Sequence, residues 1–165
     1  MILNLNKDHI IKINENFIKQ GWGSRKDILN KYLDEQQSGK RIVLVYEENN
    51  EIKGYITLII SPTKGPFSLT NIPEISDFNV FKEYQGKGIG QKLLDNIINR
   101  SKKISDLVGI GVGLHAGYGT AQRMYIRNGF IPDGNGVYYK GEILEPYTEC
   151  INDDDLVLYF IKKQT

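Results

Sequence analysis

The sequence predicts an α/β fold with a mixed sheet, and three observations support this. Runs of β-branched and aromatic residues alternate with segments in which apolar residues recur at helical spacing, so strands and helices are interleaved. Two of the strand-like runs are separated only by polar residues 47–51, which predicts an antiparallel hairpin. A glycine-rich turn at 86–90 joins a predicted strand directly to a predicted helix. With 165 residues, the chain has the length of one domain with its own core.

The first half of the chain contains helical and strand patterns with clear boundaries. Two glycines flank Trp22 and break the first helical pattern, and Ser24 then predicts the N-cap of the second helix. The predicted elements up to the glycine-rich turn are an edge strand at 2–5, helices at 7–19 and 24–37, hairpin strands at 41–46 and 52–60, and a strand at 72–80.

The second half repeats strand and helix patterns and ends in strands. Gly129 follows an amphipathic segment directly and predicts the end of a helix. The sequence Asp-Gly-Asn-Gly at 133–136 is typical of a turn. The predicted elements are helices at 89–103 and 120–128, and strands at 108–114, 137–140 and 156–162.

The glycine-rich turn brings the backbone of a helix N-terminus close to any ligand. The first amides of a helix have no intrahelical partner and lie at the positive end of its dipole, so the turn predicts a phosphate site. The spacing of Gly86, Gly88 and Gly90 fits neither a Walker loop nor the dinucleotide-binding fingerprint. The pattern that remains is Q/R-x-x-G-x-G/A, which begins at Gln85.

A second motif lies further along the chain. Residues 121–130 read A-x-x-x-Y-x-x-x-G-F, with Tyr125 at its centre. With both motifs in this order, the chain resembles the GNAT superfamily of acetyl-CoA-dependent N-acetyltransferases over nearly its whole length. The resemblance implies one GNAT domain over residues 1–165, with a central, mostly antiparallel sheet, splayed strands and flanking helices. It also implies direct transfer of an acetyl group from acetyl-CoA to a primary amine.

The resemblance further implies which residues bind coenzyme A. In the family, the pantetheine arm lies between the strand before the loop and the strand after its helix, like an extra strand. Backbone groups near Phe78 and Val80 would then bind pantetheine. Thr120 or Tyr118 would replace an asparagine that the family often carries before the second motif. The residues implied for the pyrophosphate are Gln85, Gly86, Lys87, Gly88, Ile89 and Gly90.

Four residues are candidates for the catalytic proton transfers. Tyr125 falls where many family members keep the tyrosine that protonates the coenzyme A sulfur; the alternative is that it only packs and hydrogen-bonds the cofactor. Glu74, fourteen positions before Gly88, aligns with the catalytic glutamate of histone-type members and could deprotonate the amine through a water. Asp77 lies on the opposite face of a regular strand, although a bulge would let either carboxylate face the cleft. Both could instead attract a cationic substrate, and His115 is a further candidate for proton transfer.

Composition argues against several other classes of protein. The net charge is +1 and the basic residues are scattered, so the clustered basic face of a nucleic-acid-binding protein is missing. The longest apolar runs are too short to cross a membrane. The single cysteine, Cys150, forms no internal disulfide, and we expect a cytoplasmic protein. No Cys/His grouping has metal-ligand spacing.

The acceptor is the least defined part of the prediction. We expect a small-molecule amine, and the alternatives are a protein or peptide acceptor or a non-catalytic acyl-CoA-binding sensor domain. Family members often pair through their C-terminal strands, so the resemblance is also compatible with a homodimer.

Overall fold

The computed structural model describes residues 1–165, which form eight β-strands and four α-helices. The chain divides into two compact units. The first comprises Met1–Ile60 and Ser76–Arg100, and the second comprises Ser61–Ile75 and Ser101–Thr165. The predicted class, α/β with a mixed and mostly antiparallel sheet flanked by helices, is confirmed. None of the four helices combines the length and the apolar character that a membrane crossing requires.

In the first unit, the strands follow the order β1-β2-β3-β4, and the recorded pairings of β1 with β2 and of β2 with β3 are antiparallel. The predicted hairpin is confirmed, and Asn49 and Asn50 form its two-residue turn with φ of 54° and 62°. Left-handed backbone at both turn residues matches the twist of the paired strands. The elements are β1 (Ile2–Asn4), α1 (Lys7–Lys19), α2 (Lys26–Gln37), β2 (Arg41–Glu48), β3 (Glu51–Ile59), β4 (Glu74–Val80) and α3 (Ile89–Ser101), of which β4 begins and α3 ends in the second unit.

The core of the first unit lies where α1 and α2 pack against β2 and β3. Helix α1 spans the predicted residues and begins with a capping box, in which Asn6 accepts from the His9 amide and the His9 ring accepts from the Asn6 amide. Both helices present their apolar stripes to this core. Its buried members include Ile10, Ile13, Phe17, Leu29, Tyr32, Leu33, Val43, Val45, Ile52 and Tyr55.

Helix α2 begins later than predicted, because Arg25, not Ser24, is its N-cap residue. The Asn14 side chain on α1 accepts from the Arg25 amide over 2.7 Å and from the Ser24 hydroxyl over 3.0 Å. A side chain of the neighbouring helix therefore satisfies the N-cap amide, which the local sequence of α2 does not indicate.

In the second unit, the strands follow the order β4-β5-β8-β6-β7. The first two residues of β4 pair in parallel with β5, Glu74 opposite Gly109 and Ile75 opposite Ile110, whereas the other pairings are antiparallel. The remaining elements are β5 (Leu107–Gly113), α4 (Gly119–Arg127), β6 (Ile131–Tyr139), β7 (Glu142–Ile143) and β8 (Leu156–Lys163).

Strand β6 corrects the predicted turn at residues 133–136. These residues lie inside the strand, at the point where its register with β8 shifts between Pro132 and Val137. Gly134 and Gly136 have φ of 82° and 81°, which is the irregular backbone of a bulge. A bulge and a turn use the same residue types, and only pairing with a partner strand separates them.

Candidate active site

The glycine-rich loop of the first unit connects β4 to α3. A short 3₁₀ turn at Lys82–Tyr84 follows the strand, and Gly86 and Gly88 then adopt left-handed backbone with φ of 75° and 77°. The Lys92 amide donates to the Gly88 carbonyl over 3.2 Å, which begins the hydrogen bonding of α3. The amides of residues 89–91 therefore precede the first intrahelical bond and have the arrangement that binds an anion.

The sequence shapes this loop locally. No atom lies within 4 Å of where a Cβ would stand on Gly86 or Gly88, so the backbone at both positions is open. The Gln85 side chain donates to the Val80 carbonyl over 3.0 Å and ties the loop to the end of β4. Lys87 is exposed, whereas Gly90 is buried within the first turn of α3 and is helical.

A polar cluster surrounds Asp77 in the middle of β4, where its φ of 44° interrupts the regular strand. Tyr32 on α2 donates to Oδ2 over 2.9 Å, and Arg25 donates to the same oxygen from Nη2. Tyr55 on β3 donates to Oδ1 over 3.0 Å, and the Asn79 side-chain Nδ2 donates to Oδ1 over 2.7 Å. We call these five residues the Asp77 cluster.

The electrostatics of the Asp77 cluster keep its tyrosines protonated. Burial raises the pKa of Tyr55 well above its ordinary value, and the Asp77 charge raises it further. Burial and then the same charge raise the pKa of Tyr32. Burial alone would lower the pKa of Arg25, but Tyr55, Asp77 and Tyr32 more than offset it and the pKa is raised. The cluster therefore holds one cation, one carboxylate and two phenols that act as donors.

Arg25 joins the Asp77 cluster to an aromatic surface. Its guanidinium carbon lies 5.2 Å from the centroid of the Phe17 ring, and the Phe17 and Trp22 ring centroids are 5.6 Å apart. The Arg25 side chain is 31% exposed, and Trp22 is 49% exposed. Sequence analysis found Asp77 but missed Arg25 and its partners, because they come from three separate elements.

In the second unit, the second motif explains how α4 ends. Gly129 has φ of 86°, and its amide donates to the Ile126 carbonyl over 3.0 Å. The Phe130 amide donates to the Tyr125 carbonyl over 3.1 Å, which completes a Schellman motif. The rings of Tyr125 and Phe130 lie 6.1 Å apart. Tyr125 is 5% exposed, and burial, followed by the Tyr118 charge, raises its pKa above 10.0.

Glu74 also lies in the second unit, at the first residue of β4, and is half-buried. Burial raises the pKa of Tyr159 to about 12, and the Glu74 charge is the next cause. The Glu74 carboxylate therefore lies in the electrostatic environment of a protonated phenol.

His115 is held in one orientation by its neighbours. Its Nδ1 accepts from the Gly117 amide over 3.0 Å, and its Nε2 lies 2.9 Å from Asp154 Oδ1. The Tyr118 hydroxyl donates to the same Asp154 oxygen over 2.9 Å. Because Nδ1 is an acceptor here, the imidazole proton lies on Nε2 and faces the carboxylate. Both ring nitrogens therefore form hydrogen bonds, and these hold the segment between β5 and α4 in place.

Three further residues were expected to bind coenzyme A. Phe78 and Val80 are half-buried in the part of β4 that belongs to the first unit, and Thr120 is exposed in the first turn of α4 in the second unit. Nowhere in residues 1–165 do three His, Cys, Asp or Glu side chains group in a way that would hold a metal ion.

A model of the acetyltransferase (GNAT) domain matches residues 13–148 of the chain. The protein belongs to the GNAT family. The matched segment contains both the glycine-rich loop and the second motif, so the features that predicted the family lie inside the region that shows it. A search of curated proteins gives no match.

Solved structures share the GNAT fold at low identity. The Salmonella typhimurium protein yncA, solved with its cofactor acetyl-CoA, is 20% identical, with a TM-score of 0.69 over 100% of this chain and 94% of its own. A ribosomal-protein-alanine N-acetyltransferase from Brucella melitensis is 18% identical, with a TM-score of 0.68 over 99% of each chain. A spermidine N-acetyltransferase chimera of Vibrio cholerae SpeG and hSSAT is 16% identical, with a TM-score of 0.67 over 99% of this chain and 97% of its own.

The loop of this GNAT chain fits the pyrophosphate of acetyl-CoA, the cosubstrate that the family implies. Gly86 and Gly88 leave the loop backbone open, and the first turn of α3 carries no acidic side chain that would repel phosphate. Lys87 adds an exposed cation beside the loop. The anion-binding arrangement is built from this chain's own backbone.

Proposed function

We propose that this chain transfers the acetyl group of acetyl-CoA directly to a primary amine. The main support for the proposal is the loop at the start of α3, where two left-handed glycines precede first-turn amides and the first turn itself contains no acidic residue. Such a loop binds a pyrophosphate through backbone N–H groups. Backbone groups of Phe78 and Val80 bind the pantetheine arm, and Thr120 supports it.

In the proposed mechanism, Glu74 and Tyr125 move the protons. The thioester supplies an activated acetyl group. Glu74 accepts a proton from the attacking amine through a water, while a backbone N–H of β4 stabilises the negative charge on the carbonyl oxygen. As the new C–N bond forms and the C–S bond breaks, Tyr125 gives its proton to the departing thiolate. Because burial, followed by the Tyr118 charge, raises the pKa of Tyr125, the phenol carries its proton at neutral pH.

The acceptor is proposed to be a small molecule. Two of the structural neighbours are a ribosomal-protein-alanine N-acetyltransferase and a spermidine N-acetyltransferase chimera, and at 18% and 16% identity neither acceptor can be assigned to this chain. The alternatives are a protein or peptide acceptor and a non-catalytic sensor domain, and turnover against a panel of amines separates them. We further propose that residues 1–165 act as one GNAT domain in the cytoplasm, since the lone Cys150 gives no disulfide.

The test is acetyl-CoA turnover, followed by thiol release, against pooled amino acids, aminoglycosides, polyamines and lysine peptides. Tyr125→Phe and Glu74→Gln should each lower kcat by roughly tenfold or more, because each removes one proton transfer. Tyr147→Phe and Glu149→Gln are the matched controls, since both residues are exposed in the same unit. Acetyl-CoA binding without turnover would favour a non-catalytic sensor domain. If acetyl-CoA did not bind, the proposal that the loop binds its pyrophosphate would be wrong.

A further inference from the structure

The carboxylate of Asp77 has no capacity left for a substrate amine. Two ionised oxygens offer about four lone-pair sites in total. Arg25 and Tyr32 occupy Oδ2, and Tyr55 and Asn79 occupy Oδ1. An ammonium group could bind only by displacing one of these donors. Asp77 is therefore unsuited to act as the base or as an amine anchor, although its position on β4 suggested both.

Arg25, by contrast, has donors to spare. Its two side-chain hydrogen bonds, to Asp77 and to the Tyr55 hydroxyl, are both donated by Nη2. Its Nε is buried without a hydrogen-bond partner, and Nη1 is not used in either bond. A guanidinium presents its N–H groups in a fixed planar fork that matches the oxygens of a carboxylate or phosphate. Arg25 is thus a partly exposed cation whose Nη1 donors are unused, while its unpaired Nε is buried out of reach of solvent.

The surroundings of Arg25 add positive charge and an aromatic wall. Trp22 packs against Phe17, the ring that also lies beside the Arg25 guanidinium. The Nζ of Lys82 lies 5.2 Å from the centroid of the Trp22 ring. A second exposed cation therefore borders the same surface, and an oxyanion is attracted to both.

The position of the cluster links this surface to the proposed reaction. Asp77 and Asn79 flank Phe78 on β4, and the proposed function assigns the backbone of Phe78 to the pantetheine arm that ends in the thioester. The cluster holds Arg25 against this stretch of the strand. A group bound by Arg25 would belong to the acceptor and would lie beside the acetyl group.

We propose that Arg25 binds an oxyanion of the acceptor, so that the substrate is an amine that also carries a carboxylate or a phosphate. Asp77 is a positioning residue that fixes the guanidinium, and Tyr32 and Tyr55 hold Asp77 in turn. This inference rests on the proposed acetyl transfer. A polyamine has no oxyanion for Arg25 to bind and would place its ammonium groups near Arg25 and Lys82, so we expect it to be a poorer acceptor.

The experiment compares acceptors that differ in one group. An amino acid is paired with its carboxamide, ethanolamine phosphate with ethanolamine, and spermidine serves as the acceptor without an oxyanion. For wild type, kcat/KM should be higher for the member that carries the oxyanion, in one of the two pairs. A preference in the amino-acid pair would indicate a carboxylate, and a preference in the ethanolamine pair would indicate a phosphate. In Arg25→Gln, the KM of that acceptor should rise roughly tenfold to hundredfold, as expected for a lost charged hydrogen bond. The KM of acetyl-CoA should change less than about twofold.

Two further variants separate recognition from folding. Arg25→Lys keeps the charge but lacks the planar fork, so its KM should fall between those of wild type and Arg25→Gln. Asp77→Asn should raise the acceptor KM with kcat near wild type, which a residue needed only for stability would not do. Lys26→Gln, an exposed neighbour, is the control and should leave both constants unchanged.

Oxyanion binding by Arg25 can fail while acetyl transfer still occurs, and the two failures give different results. This inference would be overturned if spermidine, or the members of the pairs that lack an oxyanion, were acetylated preferentially and the acceptor KM were unchanged in Arg25→Gln. The proposed acetyl transfer would still stand. Bound acetyl-CoA with no turnover of any amine would overturn the proposed function and this inference together.

Discussion

The Tyr55 hydroxyl donates a hydrogen bond to Asp77 Oδ1 over 3.0 Å, from a ring that is fully buried between β3 and the helices of the first unit. The bond fixes a carboxylate that stands on left-handed backbone. Because burial and the Asp77 charge both raise the pKa of Tyr55, the phenol remains a donor throughout the neutral range. Tyr55 therefore offers the same donor to Asp77 throughout that range.

Replacing Asp77 tests how much the cluster stabilises the fold. Asp77→Asn should lower the free energy of unfolding by about 1–3 kcal/mol, since the charged acceptor of four donors is lost. Asp77→Ala should cost about 1 kcal/mol more, because Asn tolerates the φ of 44° and Ala does not. Urea denaturation measures both variants. Asp34→Asn, exposed on α2, is the control, and equal stability of Asp34→Asn and Asp77→Asn would contradict the prediction.

Gly54 on β3 leaves no room for a side chain. A Cβ there would lie 2.7 Å from the Asn79 carbonyl oxygen and 3.2 Å from Val80 Cα, both of which are backbone atoms. Gly54→Ala should therefore destabilise the protein by about 1–3 kcal/mol as β4 is forced to shift. Thermal unfolding measures the effect. Gly119→Ala, where φ is −58° and no atom lies within 4 Å, should be neutral or stabilising; a similar loss at both positions would argue against the steric explanation.

Tyr125→Phe separates the chemistry of α4 from its packing. The ring contact with Phe130 and the backbone bonds of the helix end survive the substitution, so the melting temperature should stay within a few degrees of wild type. In the proposed mechanism this variant has no proton to give to the thiolate, so kcat should fall roughly 10²-fold. Because the pKa of Tyr125 lies above 10.0, wild type should keep its acid form up to at least that pH. Unchanged kcat in the variant would assign proton donation elsewhere.

The pKa of Asp154 depends on its hydrogen bond with His115. The hydrogen bond from His115, followed by that from Tyr118, lowers the pKa of Asp154 below 3.8. A lowered folded-state pKa gives stability that is present above the unfolded value and is lost as pH falls through the folded value. NMR titration should show the midpoint of Asp154 below 3.8, and His115→Ala should move it back upward. A midpoint that His115→Ala leaves in place would mean that the ring does not stabilise the carboxylate.

Local patterns predicted most of the elements, because the residues that decide them are neighbours in sequence. Helix α1 spans the predicted residues, and the hairpin was recognisable from its two strands, although its turn is Asn49-Asn50 alone and not the whole of 47–51. The start of α2 was missed because the amide of its N-cap residue, Arg25, donates to the side chain of Asn14 on another helix. The bulge in β6 was read as a turn because its glycines fit both structures.

Some residues of the candidate site could likewise be predicted from local sequence, and others could not. The loop glycines and Tyr125 stand in contiguous motifs, so they were found together with the elements that carry them. Arg25 and Tyr55 reach Asp77 across sequence separations of 52 and 22 residues, and no periodicity encodes such a meeting. The one local signal was Asn79, two residues from Asp77 on the same strand.

The Schellman motif at the end of α4 changes what the second motif means as a genomic marker. Gly129 and Phe130 are required to stop the helix, so selection for folding alone will preserve them in a duplicated gene whose product no longer catalyses any reaction. The Tyr125 hydroxyl takes no part in the helix end, and phenylalanine would keep the ring there. Among descendants of this gene, the dipeptide should therefore indicate only that the fold is kept, whereas the residue at 125 should show whether the proposed proton donor is kept.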